Sequence, residues 1–133
     1  MLRKQMREHV FRLLFQIEFV PCSEMPERIE LYLAQLENAN DEKKTYMKER
    51  CLSAIDNVKE IDALINEKAS GWKTSRMNKV DLSILRLAIF EMQYDEDIPV
   101  GVAINEAVEL AKKYSGDDGP AFVNGVLAKV VTA

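Results

Sequence analysis

The residues best suited to bind a ligand lie near the two ends of the chain. At the N-terminus, Arg3, Lys4 and Arg7 form a basic cluster, and a spacing of four residues puts Arg3 and Arg7 on one side of a helix. Such a cluster neutralises phosphates and gives an affinity for nucleic acids that falls as the salt concentration rises. The alternative interpretation is a frayed, solvated terminus, which composition alone favours.

Near the C-terminus, an aromatic and an amide side chain occur two residues apart. Phe122 either packs in the core, which is the more common role of such a residue, or stacks on an unpaired RNA base. Asn124 binds either a base edge or a backbone group. Gly125 follows in the same predicted helix at a cost of about 1 kcal/mol relative to Ala. A mid-helix glycine usually permits the close approach of a neighbour or a ligand.

The sequence contains no residue pattern typical of a catalytic or metal site. His9 is the single histidine, with no neighbouring Cys and no repeated acidic partner. Cys22 and Cys51 lack the spacing of zinc ligands. A phosphate-binding glycine-rich loop and a Glu-x-x-His motif are also absent from the sequence. We therefore expect a binding protein and not an enzyme, with no cofactor and no metal.

Composition predicts one soluble globular domain. The chain has 133 residues, of which 47% are apolar and 30% are charged. A net charge of -4 is not typical of a nucleic-acid binder, but the first 12 residues carry four cations and one acid, so the basic cluster stands on an otherwise acidic chain. No apolar run suits a membrane span, and the N-terminus lacks the apolar region of a signal peptide. We expect a cytoplasmic protein without membrane contact.

The elements that must position these residues are all predicted to be helices. Apolar residues recur at helical spacing, and no segment alternates as a strand does. A polar break at residues 38–41 predicts an N-terminal subdomain of about residues 1–40 and a C-terminal subdomain of about residues 41–133. The sequence predicts six or seven helices: 2–19, 26–38, 42–69, 79–94, 100–114 and 120–131, with one short turn within 72–78.

The first predicted helix carries a second apolar stripe. Phe11, Phe15 and Phe19 are spaced four residues apart and lie nearly opposite Met6 on the core face. The stripe indicates either a helix at the centre of the fold or a surface for a protein partner. Both interpretations stay open at this point.

Three long motifs in the C-terminal half give the chain a family resemblance. Residues 81–92 fit D-x-x-I-L-R-x-A-x-[YF]-E-[LM], and residues 97–112 fit D-[IV]-P followed by V-x-I-N-E-A-[IV]-E-L-A-K. Residues 122–127 read FVNGVL, and Trp72 with Arg76 fits W-x-x-x-R. With these motifs, and with a fitting first helix, the chain resembles the NusB family of bacterial transcription antitermination factors over nearly its whole length.

The resemblance implies an all-α, NusB-like bundle of about seven helices in two small subdomains, and no catalysed reaction. It implies binding of boxA RNA together with NusE, which is ribosomal protein S10, and assembly with other Nus factors on RNA polymerase. The RNA-facing positions of the family fall on Arg3, Lys4, Arg7, Asp118, Phe122 and Asn124. The positions facing NusE fall on Phe11, Phe15 and Asp81.

This sequence departs from the family pattern where the family is more basic. Gln5 and Met6 interrupt the N-terminal cluster, Pro120 and Ala121 replace a basic residue before Phe122, and Gly101 stands where some members have Lys. Fewer cations release fewer counterions, so we expect weak RNA binding by the chain alone and strong binding with NusE.

Two other functions stay open on the sequence. One is a NusB-like protein-interaction module without RNA binding, which the thinned basic cluster suggests. The other is the NusB-like domain of a ribosomal RNA methyltransferase, for which we would expect a further domain beyond Ala133. The phenylalanine stripe also leaves a homodimer open.

Overall fold

The structure, a computed structural model, describes residues 1–69 and 71–132. Within these residues it contains helices and no strand, so the all-α prediction is confirmed. None of the described helices is long and apolar enough to cross a membrane. The seven α-helices are α1 (Arg3–Phe15), α2 (Met25–Ala34), α3 (Asp41–Asp56), α4 (Val58–Lys68), α5 (Lys79–Tyr94), α6 (Val100–Tyr114) and α7 (Gly119–Thr132).

The chain divides into two compact units, Met1–Asp56 and Asn57–Ala133. The sequence predicts the boundary between two subdomains near residue 40, where a polar segment separates α2 from α3. In the structure α3 packs against α1 and α2 and therefore belongs to the first unit. A break in the helical pattern marks the end of a helix, whereas a unit boundary depends on which helices share a core.

The first unit consists of α1, α2 and α3. Each of its helices buries an apolar face. His9 Nδ1 of α1 and Tyr32 Oη of α2 lie at a hydrogen-bonding distance of 2.6 Å. Helix α1 is shorter than predicted, because a 3-10 turn at Gln16–Glu18 follows Phe15. The fully or nearly fully buried residues of this unit include Val10, Leu13, Leu14, Met25, Ile29, Met47 and Cys51.

The prediction of one long helix over residues 42–69 is wrong. Asn57 interrupts it with φ −104° and ψ 7°, and its carbonyl oxygen accepts the first hydrogen bond of α4 from the Ile61 amide at 3.0 Å. Asn is a weak helix former that favours helix ends. The apolar stripe gives no sign of the break, because Ala54 before it and Ile61 after it are both buried.

Helix α5 is the central element of the second unit and packs against α4, α6 and α7. Its residues from Asp81 to Glu91 are all buried. The Asn78 side chain caps its N-terminus by accepting from the amides of Val80 and Asp81, at 2.8 and 3.3 Å. The predicted bounds of α5 and α6 are confirmed, and α7 begins one residue earlier than predicted.

A partly buried ion pair joins α4 to α5. Arg86 Nε donates to Asp62 Oδ1 at 2.9 Å, and Arg86 Nη2 donates to Asp62 Oδ2 at 2.7 Å. This two-point geometry suits the planar guanidinium and fixes the relative position of the two helices. The ion pair therefore helps to fix the position of α5, whose first turn contains Asp81.

Candidate nucleic-acid and partner interfaces

The basic cluster lies on the first two turns of α1. Arg3 and Lys4 are exposed, whereas Arg7 is only 8% exposed although it lies on the same side of the helix as Arg3. The Leu2 amide donates to Gln5 Oε1 at 2.8 Å, which ties down the start of the helix. Gln5, which interrupts the cluster in sequence, thus holds the terminus in place. This contact favours an ordered basic surface over a frayed one.

A cation from α3 joins this basic surface. Lys43 Nζ donates to the Met1 carbonyl oxygen at 2.5 Å. Hydrogen bonding and repulsion from Lys43, followed by a smaller effect of burial, lower the pKa of the Met1 amino group. Lys43 is not predictable from the sequence, because 42 residues separate it from Met1 and no motif marks it. The cations at this end of the first unit therefore include Arg3, Lys4 and Lys43.

Phe122 lies in the first turn of α7, where its amide donates to the Asp118 carbonyl oxygen at 3.0 Å. Its ring is half-buried and meets the Trp72 ring edge to face, with centroids 5.3 Å apart and an interplanar angle of 73°. Trp72 itself is 52% exposed. Phe122 is thus neither a fully buried core residue nor an isolated surface ring. The sequence motif that contains Trp72 does not by itself predict a role for this residue in RNA binding.

The remaining predicted RNA residues of α7 and its preceding loop are exposed. Asp118 and Asn124 both reach the surface, and the two-residue spacing directs Asn124 to a different side of α7 from Phe122. A Cβ built on Gly125 would meet no atom within 4 Å. No described part of the protein outside the helix therefore packs closely on Gly125.

The phenylalanine stripe passes from the core to the surface. Phe11 is buried, Phe15 is half-buried, and Phe19 is 68% exposed. The rings of Phe15 and Phe19 meet edge to face at 5.1 Å. The predicted partner residue Phe11 thus belongs to the core, while Phe15 and Phe19 form the exposed aromatic surface. Phe19 is a surface residue that the predicted partner residues do not include.

Asp81, the third predicted partner residue, is bound inside the second unit. Its Oδ1 accepts a hydrogen bond of 2.5 Å from Ser115 Oγ, in the connection between α6 and α7. Gly119 is needed beside this contact, because a Cβ there would overlap the Ser115 side chain and lie 3.3 Å from Asp81 Oδ1. Asp81 is buried and holds the start of α7 near α5. Its role at a partner interface stays a prediction.

The predicted RNA residues belong to two different units. Arg3, Lys4 and Arg7 lie in Met1–Asp56, and Asp118, Phe122 and Asn124 lie in Asn57–Ala133. Among the residues that the structure describes, no group of His, Cys, Asp and Glu is arranged to hold a metal ion. What the two surfaces offer chemically is charge, aromatic faces and an amide, which are means of binding.

Comparison with known proteins identifies the family of this chain. The family model of the NusB family matches residues 4–132. The transcription antitermination protein NusB of Agathobacter rectalis is 54% identical over 129 residues, which cover 97% of this chain and 98% of that protein. The structure matches T. maritima NusB with a TM-score of 0.90 at 32% identity, covering 99% of this chain and 92% of the other.

A second solved structure shares the fold and contains partners. It holds the antitermination factors NusB and NusE in complex with double-stranded RNA. The match has a TM-score of 0.84 at 25% identity and covers 98% of this chain and 96% of the other. The family model, the relative and both structures agree over nearly the whole sequence, and this chain belongs to the NusB family.

Proposed function

We propose that this chain is a transcription antitermination factor that binds boxA RNA together with NusE (ribosomal protein S10). The pair joins other Nus factors on RNA polymerase in the cytoplasm and supports the transcription of ribosomal RNA. The observation that carries the proposal is the match over 98% of the chain to a NusB solved with NusE and double-stranded RNA. The activity is binding, with no chemical step.

The two surfaces supply what RNA binding requires. Arg3 and Lys4 are exposed, and Lys43 adds a third cation beside them. These cations neutralise phosphates, while the Phe122 ring stacks on a base and the exposed Asn124 amide binds a base edge. Phosphate contacts position the RNA, and contacts to bases select its sequence. The residues near both ends of the sequence thus have complementary roles.

The partner surface fits a protein. Phe15 and Phe19 present aromatic rings at the surface of the first unit, and aromatic residues are enriched at protein interfaces. We propose that NusE covers this pair. A second copy of the chain is the competing occupant, and sedimentation velocity with and without NusE separates the two. A chain that stays monomeric without NusE excludes the homodimer.

The chain alone should bind RNA weakly. Arg7 is mostly buried, and Pro120 and Ala121 add no charge beside Phe122. Each phosphate neutralised on a single strand contributes about −0.7 to the slope of log K against log salt. The three cations near the start of α1, Arg3, Lys4 and Lys43, therefore contribute about −2 to the slope of the free protein, and NusE has to supply further contacts.

The test is a titration of fluorescently labelled boxA RNA, read by anisotropy at two salt concentrations. It compares this chain, NusE and the equimolar pair, with a scrambled RNA of equal length as the control. We expect the pair to bind boxA much more tightly than either protein and more tightly than the scrambled RNA. Tight binding by the isolated chain at physiological salt would contradict the predicted dependence on NusE.

The same titration decides between the alternatives. If the pair forms but ignores boxA, the chain is a protein-interaction module on a NusB scaffold. The third candidate, a domain of a ribosomal RNA methyltransferase, has less support. The A. rectalis relative carries the antitermination name, and the match spans 98% of its length.

A further inference from the structure

We propose that Trp72 is a base-stacking residue that acts together with Phe122 on one unpaired RNA base. This inference rests on the proposed RNA binding and deepens it, because it adds a residue to the site and gives that residue a ligand. The observation behind it is the contact of the two rings, at a centroid distance of 5.3 Å, in an exposed place at the start of α7.

The exposure of the two rings decides which of them meets the base first. Trp72 is 52% exposed, whereas Phe122 is half-buried and supports it from the side at an interplanar angle of 73°. Indole is the largest aromatic surface among the side chains, and exposing so much of it to water is costly unless a partner covers it. Trp72 therefore offers the larger stacking surface.

The backbone around Trp72 is fixed before any ligand binds. Gly71 has a φ of 85°, in the left-handed region that favours glycine, and turns the chain after α4. The Trp72 amide donates to the Ala69 carbonyl oxygen at 2.9 Å, and the Thr74 amide donates to Asn66 Oδ1 at 2.8 Å. Met77 is buried and anchors the far end of the segment. A ring held in this way loses little conformational entropy on binding.

The charges beside the two rings favour a nucleotide over an apolar protein segment. Lys73 and Arg76 are exposed on the same short segment as Trp72, and they suit the phosphates on either side of a stacked base. Asp118 is exposed one turn before Phe122. A carboxylate repels phosphate but accepts hydrogen bonds from the amino groups of bases. Lys73 and Arg76 thus suit the phosphates of a nucleotide, and Asp118 suits the amino group of its base.

The experiment uses the intrinsic fluorescence of the chain, because Trp72 is its only tryptophan. The complex with NusE is titrated with single-stranded boxA RNA, and the complex made with Trp72→Phe supplies the blank. A series of boxA oligonucleotides, each with one base removed to leave an abasic site, is titrated next. We expect boxA to quench the Trp72 emission, and we expect the quenching to disappear for one abasic position while binding of the phosphates persists.

Affinity measured by anisotropy gives a second readout. Stacking on an aromatic side chain accounts for about 5- to 150-fold in affinity per base, so Trp72→Ala should weaken boxA binding by a factor in that range. Trp72→Phe keeps an aromatic face and should lose less. Tyr94→Ala is the matched control, since Tyr94 is an exposed ring of the same unit that stacks on Phe90. It should bind boxA as the unmodified chain does.

The outcomes separate this inference from the proposed function. If the complex gives no anisotropy change with boxA, the proposed function fails. If boxA binds but leaves the emission of Trp72 unchanged, the stacking role is wrong and the proposed function stands. If NusE alone changes the emission and RNA adds nothing, Trp72 serves the protein partner and the inference is overturned. The emission test uses the unmodified Trp72, so it tests the stacking role even if Trp72→Ala folds poorly.

Discussion

At the scale of single residues, the burial of each charged side chain limits what that side chain can bind. Arg7 is mostly buried, whereas Lys43 lies beside Met1 and donates a hydrogen bond to its carbonyl oxygen. Asp81 accepts a hydrogen bond from Ser115 inside its own unit. A helical spacing tells which side of a helix a residue occupies, but it does not tell whether that side is covered. Spacing alone therefore predicts the side of a helix on which a residue lies, and it does not predict the exposed fraction of that residue.

His9 should make the stability of the protein depend on pH. Burial, and then the charge of Arg12, lower the pKa of His9 below its usual 6.5. The folded state therefore binds fewer protons than the unfolded state when the pH lies between the lowered pKa and 6.5. We expect the free energy of unfolding to fall as the pH drops below about 6.5.

Chemical denaturation across this range measures the effect, with His9→Gln as the variant that cannot titrate there. The unmodified protein should lose stability relative to His9→Gln as the pH is lowered. A difference between the two proteins that stays constant with pH would contradict the prediction. Tyr32→Phe is the matched control, because it removes the hydroxyl near His9 Nδ1 and leaves the titrating ring in place.

At the scale of the elements, two glycines of α7 should respond oppositely to the same substitution. Gly125 lies inside the helix with no atom within 4 Å of a built Cβ, so Gly125→Ala should raise the free energy of unfolding by about 1 kcal/mol. A Cβ at Gly119 would overlap the Ser115 side chain and approach Asp81. Gly119→Ala should therefore lower stability by about 1–3 kcal/mol, because the contacts must shift.

Urea denaturation of the two variants provides the comparison, and each variant serves as the control for the other. The chemical change is the same, and only the space around the Cβ differs. Equal effects at the two positions would contradict the geometry. If Gly125→Ala also weakens boxA binding while it stabilises the protein, the open space above Gly125 is occupied by RNA in the complex.

The helices show which parts of the fold can be predicted from sequence. The bounds of α5 and α6 are predictable because local signals set them, such as the Asn78 cap and the Pro99 that precedes α6. The break between α3 and α4 is not, because one apolar stripe continues through Asn57. In the candidate site, Phe122 and Asn124 belong to a motif. Lys43 belongs to none, because folding brings it to Met1 from a distant part of the chain.

At the scale of the whole molecule, the two thiols should report on folding. Cys22 is exposed and Cys51 is buried, and both are free. Burial raises the pKa of Cys51 to about 12, so its reactive thiolate is scarce as well as inaccessible. We expect a thiol reagent to label Cys22 rapidly and Cys51 only when the first unit opens. Labelling of Cys22→Ser and Cys51→Ser, with and without denaturant, measures the two rates. Equal rates in the native protein would contradict the burial of Cys51.

The distribution of charge over the whole molecule leads to the last prediction. A net charge of -4 repels RNA at long range, so binding depends on where the exposed cations lie. In the complex with NusE, the double substitution of Arg3 and Lys4 by Gln should flatten the slope of log K against log salt by about 1.4 for boxA.

The change in slope identifies phosphate contacts, because cations that neutralise phosphates release counterions and other cations do not. Lys59→Gln is the matched control, since Lys59 is an exposed cation on α4 outside both candidate surfaces. It alters the net charge by one unit and should leave the slope unchanged. If Lys59→Gln flattens the slope as much per charge removed as the double substitution does, total charge governs the binding and the basic cluster has no special role. If only the double substitution flattens the slope, the cations at the start of α1 contact the phosphates of boxA.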